Sequence, residues 1–137
     1  MTTTQPLVTG VDFVCLATRD LPAAREFYGR VLGLPCSSVW RAADPVGAEY
    51  ETGSLTLALL DSAALGIEYR PNNHPIALHV DDVETARREL ESRGVAFKGD
   101  IMDSGVCHMA HFEDPDGNQL MLHHRYAPRA PWPDAQA

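Results

Sequence analysis

Hydrophobic positions in the first half of the chain follow strand-like spacing, then helical spacing, then strand-like spacing again. Residues 11–18 are apolar and partly β-branched, which predicts a strand. Asp20 suits a helix N-cap, and Gly33 suits the end of that helix. Between them, apolar residues recur at helical spacing at Ala23, Ala24, Phe27, Tyr28, Val31 and Leu32. Residues 36–60 then contain three short strand-like runs that are broken by turn residues.

The second half of the chain repeats this order of elements. A linker over residues 61–73 leads to a strand at 76–80, and Asp82 then caps a helix that ends at Gly94. The apolar face of this helix consists of Val83, Ala86 and Leu90. Three further strands are predicted at residues 95–101, 106–113 and 120–125. The last two are joined by residues 114–118, whose sequence Asp-Pro-Asp-Gly-Asn is a strong turn signal.

The two halves also match residue by residue. Residues 16–25 read LATRDLPAAR and residues 78–87 read LHVDDVETAR, at an offset of 62 positions. Such a repeat predicts two supersecondary units that bury apolar faces against each other, with function where they meet. We expect one α+β domain, built from two paired βαβββ modules that form a cleft-lined mixed sheet. The expected segments of residues 1–137 are module one at about 10–61, module two at about 74–126 and an irregular tail at 127–137.

The period of two in a strand divides its side chains between a helix-facing side and an opposite side, here named the open face. The helix-facing set is predicted to be Val14, Leu16, Ile76, Leu78, Val80, Ala110, Phe112, Leu120 and Leu122. The open-face set is predicted to be Phe13, Cys15, Ala17, Pro75, Ala77, His79, Met109, His111, Met121 and His123. Its mixture of aromatic, sulfur and imidazole groups fits a small-molecule cleft.

Composition narrows the classes of function. The chain has 137 residues and a formal net charge of −8, which argues against nucleic acid or an anionic membrane as the main partner. No apolar run is long enough to span a membrane, and residues 1–5 lack the features of a signal peptide. The cysteines are Cys15, Cys36 and Cys107, an odd number without a CxxC motif. They indicate neither a disulfide framework nor a zinc knuckle, and we expect a cytoplasmic protein.

Three motifs in this order resemble the vicinal-oxygen-chelate superfamily, which contains glyoxalases, bleomycin-resistance proteins and extradiol dioxygenases. They are residues 12–34, with Asp-Phe-Val-Cys-Leu and Phe-Tyr…Val-Leu-Gly-Leu, residues 76–95, and the turn at 114–118. The resemblance covers about residues 10–126. It implies two paired βαβββ modules and a homodimer that completes the clefts.

Metal-dependent members of this superfamily bind a divalent ion through His, Gln or Glu on the first and last strand of each module. At the matching positions this chain has Phe13, Leu57, Pro75 and Met121. Apolar side chains cannot ligate, and a thioether is a poor ligand for a hard or borderline ion. The resemblance therefore implies a member without the conventional metal site, and we expect no cofactor.

The leading hypothesis is a protein that binds an apolar or aromatic, drug-like small molecule in a dimer cleft, with self-resistance by sequestration as its most concrete form. Trp40 and Tyr50 offer stacking surfaces for such a ligand. The complete set of expected ligand-binding residues is Phe13, Cys15, Trp40, Tyr50, Leu57, His79, Met109, His111, Met121 and His123.

Two other classes of function stay open. His79, His111 and His123 on one face suit general acid–base chemistry or a displaced divalent metal, which would make the protein a lyase, isomerase or dioxygenase-type enzyme. A thiol nucleophile at Cys15 or Cys107 is a variant of this hypothesis. A cleft filled by the chain's own side chains would instead favour a structural or regulatory protein.

Overall fold

The computed structural model describes residues 5–129. Module one contains β1 (Phe13–Thr18), α1 (Leu21–Glu26), a π-helical turn (Phe27–Val31), β2 (Cys36–Trp40), β3 (Gly47–Glu51), β4 (Thr56–Asp61) and α2 (Ser62–Leu65). Module two contains β5 (Ile76–His79), α3 (Val83–Ser92), β6 (Phe97–Asp103), β7 (Cys107–Glu113) and β8 (Gln119–Arg125). Of the expected irregular ends, residues 1–4 and 130–137 lie outside the described residues.

The strands form two four-stranded mixed sheets of the same topology. The strand orders are β1-β4-β3-β2 and β5-β8-β7-β6. In each sheet the first strand of the module runs parallel to the last, and the other neighbours are antiparallel. The predicted α+β fold of two βαβββ modules is therefore confirmed.

The two long helices begin where the sequence predicted. The Asp20 carboxylate accepts a hydrogen bond from the Ala23 backbone N–H at 3.1 Å, and Asp82 does the same for Thr85 at 3.0 Å. The first helix differs from the prediction beyond its second turn, because the Leu32 N–H bonds to the carbonyl oxygen of Phe27 at 2.9 Å. This bond spans five residues and makes the last turn π-helical.

One hydrophobic core joins the two modules. Leu16 and Leu59 from the first sheet and Phe112 and Leu120 from the second are almost completely buried in it. Phe27 from the helical segment of module one packs against Phe112 of module two, with ring centroids 6.4 Å apart. Because these residues share one cluster, each module covers the apolar side of the other.

A buried polar network fastens the modules at the Asp-Pro-Asp-Gly-Asn turn. The Tyr28 hydroxyl donates to the Asp114 carboxylate at 2.7 Å. Asn118 donates through its side-chain amide both to Asp114 at 2.8 Å and to the Ala17 carbonyl oxygen at 2.9 Å. Burial and the adjacent Asp114 carboxylate hold the pKa of Tyr28 well above its ordinary value, so this hydroxyl keeps its proton. The turn thus ties module two to both β1 and the helical segment of module one.

Within residues 5–129, no helix combines the length and the apolar character that crossing a membrane requires.

Candidate functional site

The open face of module one carries an exposed aromatic ring beside small residues. Phe13 pairs in register with Thr56, and Cys15 pairs with Ala58, whose other neighbour is Glu49. Phe13 is 54% exposed although it lies in a strand. Such an exposed ring on the side of the sheet away from the helices is available for contact with a ligand or another chain.

Trp40 forms a fixed aromatic surface at the far edge of the same sheet. It pairs with Gly47, and a Cβ atom at Gly47 would lie 2.4 Å from the Trp40 ring. The indole N–H donates to the Glu49 carboxylate at 2.6 Å. Because Gly47 has no side chain, the indole can lie directly against the sheet, and its hydrogen bond to Glu49 fixes it there.

Glu51 adds a fixed negative charge to this face. Its carboxylate accepts hydrogen bonds from the Ser37 hydroxyl at 2.6 Å and from the Thr56 hydroxyl at 2.7 Å. These two bonds lower the pKa of Glu51. The group is therefore ionised near neutral pH and suits a polar anchor better than a general acid.

The open face of module two is built from alternating imidazoles and thioethers. Antiparallel pairing of β7 with β8 places Met109 opposite His123 and His111 opposite Met121. All four side chains are half-buried. The sequence prediction that these four residues share the open face is confirmed by the register.

His79 lies beside this group but at the edge of the sheet. It pairs in register with His123, and its ring centroid is 5.9 Å from that of His124. Its Nε2 atom is 3.5 Å from the Asp81 carboxylate, and its side chain is 72% exposed. Among the described residues, no three His, Cys, Asp or Glu side chains are grouped closely enough to hold a metal ion.

Leu57 and Tyr50 were expected to bind the ligand, but they do not lie on the open face. They pair with each other on the helix-facing side, where Leu57 is 0% and Tyr50 2% exposed. The turn before the last strand has one residue fewer in module one than in module two, so the repeat offset changes there. A shift of one residue moves a side chain to the other face of a strand, and Ala58 is the true counterpart of Met121.

Tyr50 has a structural role in the core. Its ring packs on Tyr28 with centroids 6.3 Å apart, and its hydroxyl accepts a hydrogen bond from the Arg25 guanidinium at 3.3 Å. Alternation along β3 points Glu49 and Glu51 to the open face and Tyr50 away from it. The period of two along β3 is the sequence signal that would have placed Tyr50 on the buried side of the strand.

The cysteines on the open faces are poor candidates for nucleophiles. Partial burial raises the pKa of the Cys15 thiol, which disfavours the reactive thiolate. Cys107 is buried, with its sulfur 3.9 Å from the Arg125 guanidinium. Neither thiol is placed with a general base by the hydrogen bonds of residues 5–129.

Met102 belongs to the open face but was missed by the sequence analysis. It pairs with Met109 and is 54% exposed. The predicted strand ended at residue 101, whereas β6 continues to Asp103 after a register shift between Lys98 and Met102. No clear sequence signal marks this register shift. The only weak signal is that the apolar Met102 directly follows the predicted end of the strand.

A separate cavity of about 370 Å³ lies between the modules on the helix-facing side. Its mainly apolar lining includes Leu34, Leu55, Leu78, Ala86, Leu90 and Arg93. Of the expected site residues, only Leu57 and His79 border it. This cavity is a second place for a small apolar molecule, distinct from the open faces.

Comparisons with known proteins agree on the family and the fold. The family model of the Glyoxalase/Bleomycin resistance protein/Dioxygenase superfamily matches residues 10–122. No protein with a curated functional description matches the sequence.

Similar solved structures include a glyoxalase/bleomycin resistance protein/dioxygenase from Nocardioides, with a TM-score of 0.71 and 24% identity over 96% of this chain and 91% of that one. TnmS3, an antibiotic binding protein from Streptomyces sp. CB03234, has a TM-score of 0.70 and 23% identity over 88% and 99% of the two chains. A lactoylglutathione lyase from Agrobacterium tumefaciens has a TM-score of 0.70 and 18% identity over 86% and 95%. At these identities the structural likeness concerns the fold alone.

Proposed function

Because this chain belongs to the glyoxalase, bleomycin resistance protein and dioxygenase superfamily, we propose that it binds an apolar or aromatic small molecule on its open faces and releases it unchanged. Sequestration of an antibiotic-like compound is the most specific form of this proposal. The antibiotic binding protein TnmS3 shares the fold, which supports binding as one use of this architecture.

The observation that carries the proposal is the chemistry of the open faces. The positions that correspond to metal ligands in the resemblance hold Phe13, Ala58, Pro75 and Met121. Their side chains offer contact area in place of hard donor atoms. Phe13 and the half-buried Trp40 of module one, with Met121 of module two, would provide apolar and aromatic contacts for a ligand of the same character.

A second copy of the chain would complete the binding cleft. In the single chain the open faces leave Phe13 and Met102 more than half exposed. Pairing the faces of two copies would cover these side chains and enclose a ligand from both sides. We expect a dimer in sedimentation experiments at micromolar concentration. A species of 15.0 kDa alone would contradict the shared-cleft model.

Binding of a neutral aromatic dye such as Nile red tests the location of the ligand. Phe13→Ala and Met121→Ala should each weaken binding about tenfold, since a fully buried apolar side chain contributes roughly 1.5–3 kcal/mol. His79→Ala should have a smaller effect. Ala86→Leu is the matched control, because it fills part of the cavity on the helix-facing side and leaves the open faces unchanged.

The same variants distinguish binding from catalysis. We expect native mass spectrometry of the untreated protein to show any co-purified ligand, and incubation with the protein to return that ligand chemically unchanged. Turnover that disappears in His79→Ala or His123→Ala while affinity is kept would replace the binding proposal with the enzyme hypothesis. If Ala86→Leu is the only one of these variants that weakens dye binding, the dye binds in the cavity between the modules.

A further inference from the structure

Two imidazoles and two thioethers form a square on the open face of module two. Met109 lies opposite His123, and His111 lies opposite Met121, so histidine and methionine alternate around the four corners. Directly paired Cβ atoms in such a ladder are about 5 Å apart, and diagonal ones are about 7–8 Å apart. Both side-chain types are long enough for their donor atoms to meet above the centre of the square.

The two imidazoles of the square differ from most other histidines of module two in having no hydrogen-bond or ion-pair partner among the described residues. Three other histidines of module two do have partners: His79 and His108 each face an Asp carboxylate, and the His124 ring lies 3.1 Å from a backbone carbonyl oxygen. For residues 5–129, the structure shows no hydrogen bond or ion pair at the ring of His111 or of His123. Their nitrogen lone pairs are therefore available to a ligand on this face.

The chemistry of the square suits a soft monovalent cation. Thioether sulfur and imidazole nitrogen are ligands that Cu(I) accepts, whereas hard divalent ions prefer carboxylate and carbonyl oxygens. No carboxylate occupies a corner, and the nearby Lys98 ammonium is held by Glu113 at 2.8 Å. We propose that Met109, His111, Met121 and His123 form a Cu(I) site. This site shares Met121 with the surface proposed for aromatic molecules, and a Cu(I) titration without such a molecule tests it separately.

An anaerobic titration with Cu(I) against a chromophoric Cu(I) chelator tests the proposal. The three cysteines must be replaced first, by Cys15→Ser, Cys36→Ser and Cys107→Ala, because thiols bind Cu(I) themselves. Circular dichroism checks that this protein keeps its fold. We expect it to hold one Cu(I) per chain against the chelator and to retain no Zn(II) under the same conditions.

Conservative substitutions in this cysteine-free protein locate the site. Met109→Leu and Met121→Leu preserve side-chain volume, so the fold should persist. Each should weaken Cu(I) binding by more than about tenfold, the lower limit of the roughly 10–100-fold cost of losing an outer-shell partner. Met102→Leu and His74→Gln are matched controls outside the square and should change the affinity less than about twofold.

Two outcomes would overturn the assignment. One is that the cysteine-free protein loses all Cu(I) to the chelator. The other is that Met109→Leu and Met121→Leu bind Cu(I) as the parent does, or no more weakly than Met102→Leu and His74→Gln.

Discussion

At register-matched positions, the open faces of the two modules present different chemistry. Cys15 pairs with Ala58 in module one, where Ala77 pairs with Met121 in module two. The helix-facing sides, in contrast, present the same chemistry, since Leu16 pairs with Leu59 in module one and Leu78 pairs with Leu122 in module two. The helix-facing sides of the two modules are therefore more alike than their open faces.

Burial explains this difference. A close-packed core penalises any change of volume or polarity on the helix-facing side. The open face is not enclosed by the chain's own core, so its side chains are free to specialise. The open face of module one carries an aromatic ring and carboxylates, whereas that of module two carries imidazoles and thioethers. Where the two modules differ is thus the better guide to function.

The turns before the last strands show the same contrast in structural roles. In module one, Thr52 opens the turn, and its hydroxyl bonds locally to Leu55. In module two, Asp114 opens the turn and is buried, and it receives hydrogen bonds from Tyr28 of the other module and from Asn118. Of these two turns, only the second forms hydrogen bonds to the other module in the described part of the chain.

The largest expected effect comes from removing that carboxylate. Asp114→Ala would leave the Tyr28 hydroxyl and one N–H of the Asn118 amide without an acceptor in the core, each at a cost of about 1–3 kcal/mol. We expect the free energy of unfolding to fall by about 3–5 kcal/mol in urea titrations. Thr52→Ala, at the matched position of module one, should cost only about 1 kcal/mol. Equal losses would refute the contrast between the turns.

The next effect concerns pH, through a residue for which module two has no equivalent. The helix position of Tyr28 corresponds to Leu90 in module two, at the offset of 62 residues. Because the folded state raises the pKa of Tyr28, its contribution is complete below about pH 10, where unfolded tyrosine titrates. The contribution is lost as the pH rises through the folded pKa, so stability should decline in alkali.

Tyr28→Phe isolates this contribution. The variant should lose about 1–3 kcal/mol at neutral pH, because Asp114 loses a donor. Its further loss on going to about pH 11 should be smaller than that of the parent protein. Urea titrations at both pH values measure the two terms. An alkaline decline as steep as that of the parent would assign it to other groups.

Gly47 tests the contrast between the open faces. Gly47 pairs with Trp40, and the matched pair in module two is Met109 with Met102, so a large residue faces a glycine in only one module. In Gly47→Ala the new methyl group would lie 2.4 Å from the Trp40 ring. We expect a loss of about 1–3 kcal/mol in unfolding free energy. Gly10→Ala is the control, because no atom lies within 4 Å of the added carbon.

The smallest effect should come from a feature that the modules share. Asp20→Ala removes an N-cap and should cost about 1 kcal/mol in thermal or urea unfolding. Asp82→Ala should also lower stability, because it removes the equivalent bond in module two. The neighbouring Asp81→Ala is the control for loss of charge. If only one of Asp20→Ala and Asp82→Ala lowers stability, the two N-caps do not have the same role in their modules.

Local signals predicted the fold well. The caps at Asp20 and Asp82 were visible because a carboxylate before an apolar helical repeat has few other uses. Alternation placed His111 and His123 on the open face, since both flank buried positions in their strands. The short α2 (Ser62–Leu65) was predicted to be part of a linker, because four residues carry no helical period.

The errors at Leu57 and Met102 arose from register, which no local signal fixes, whereas alternation along β3 was a local signal for Tyr50. Leu57 was assigned by extending the repeat offset past a turn whose length differs between the modules. Met102 was missed because a register shift within β6 brings it back beside Met109. Pairing across strands depends on loop length and bulges, so contacts between distant residues became visible only in the structure.

The π-helical turn at Phe27–Val31 accounts for a difference in length between the helical segments that follow β1 and β5. From the cap at Asp20 to the terminating Gly33 there are 13 positions, whereas 12 separate Asp82 from Gly94. A turn closed by a bond across five residues accommodates one residue more than an α-helical turn. Each segment therefore begins at an Asp cap and ends at a Gly with positive φ, although the segment in module one is one residue longer.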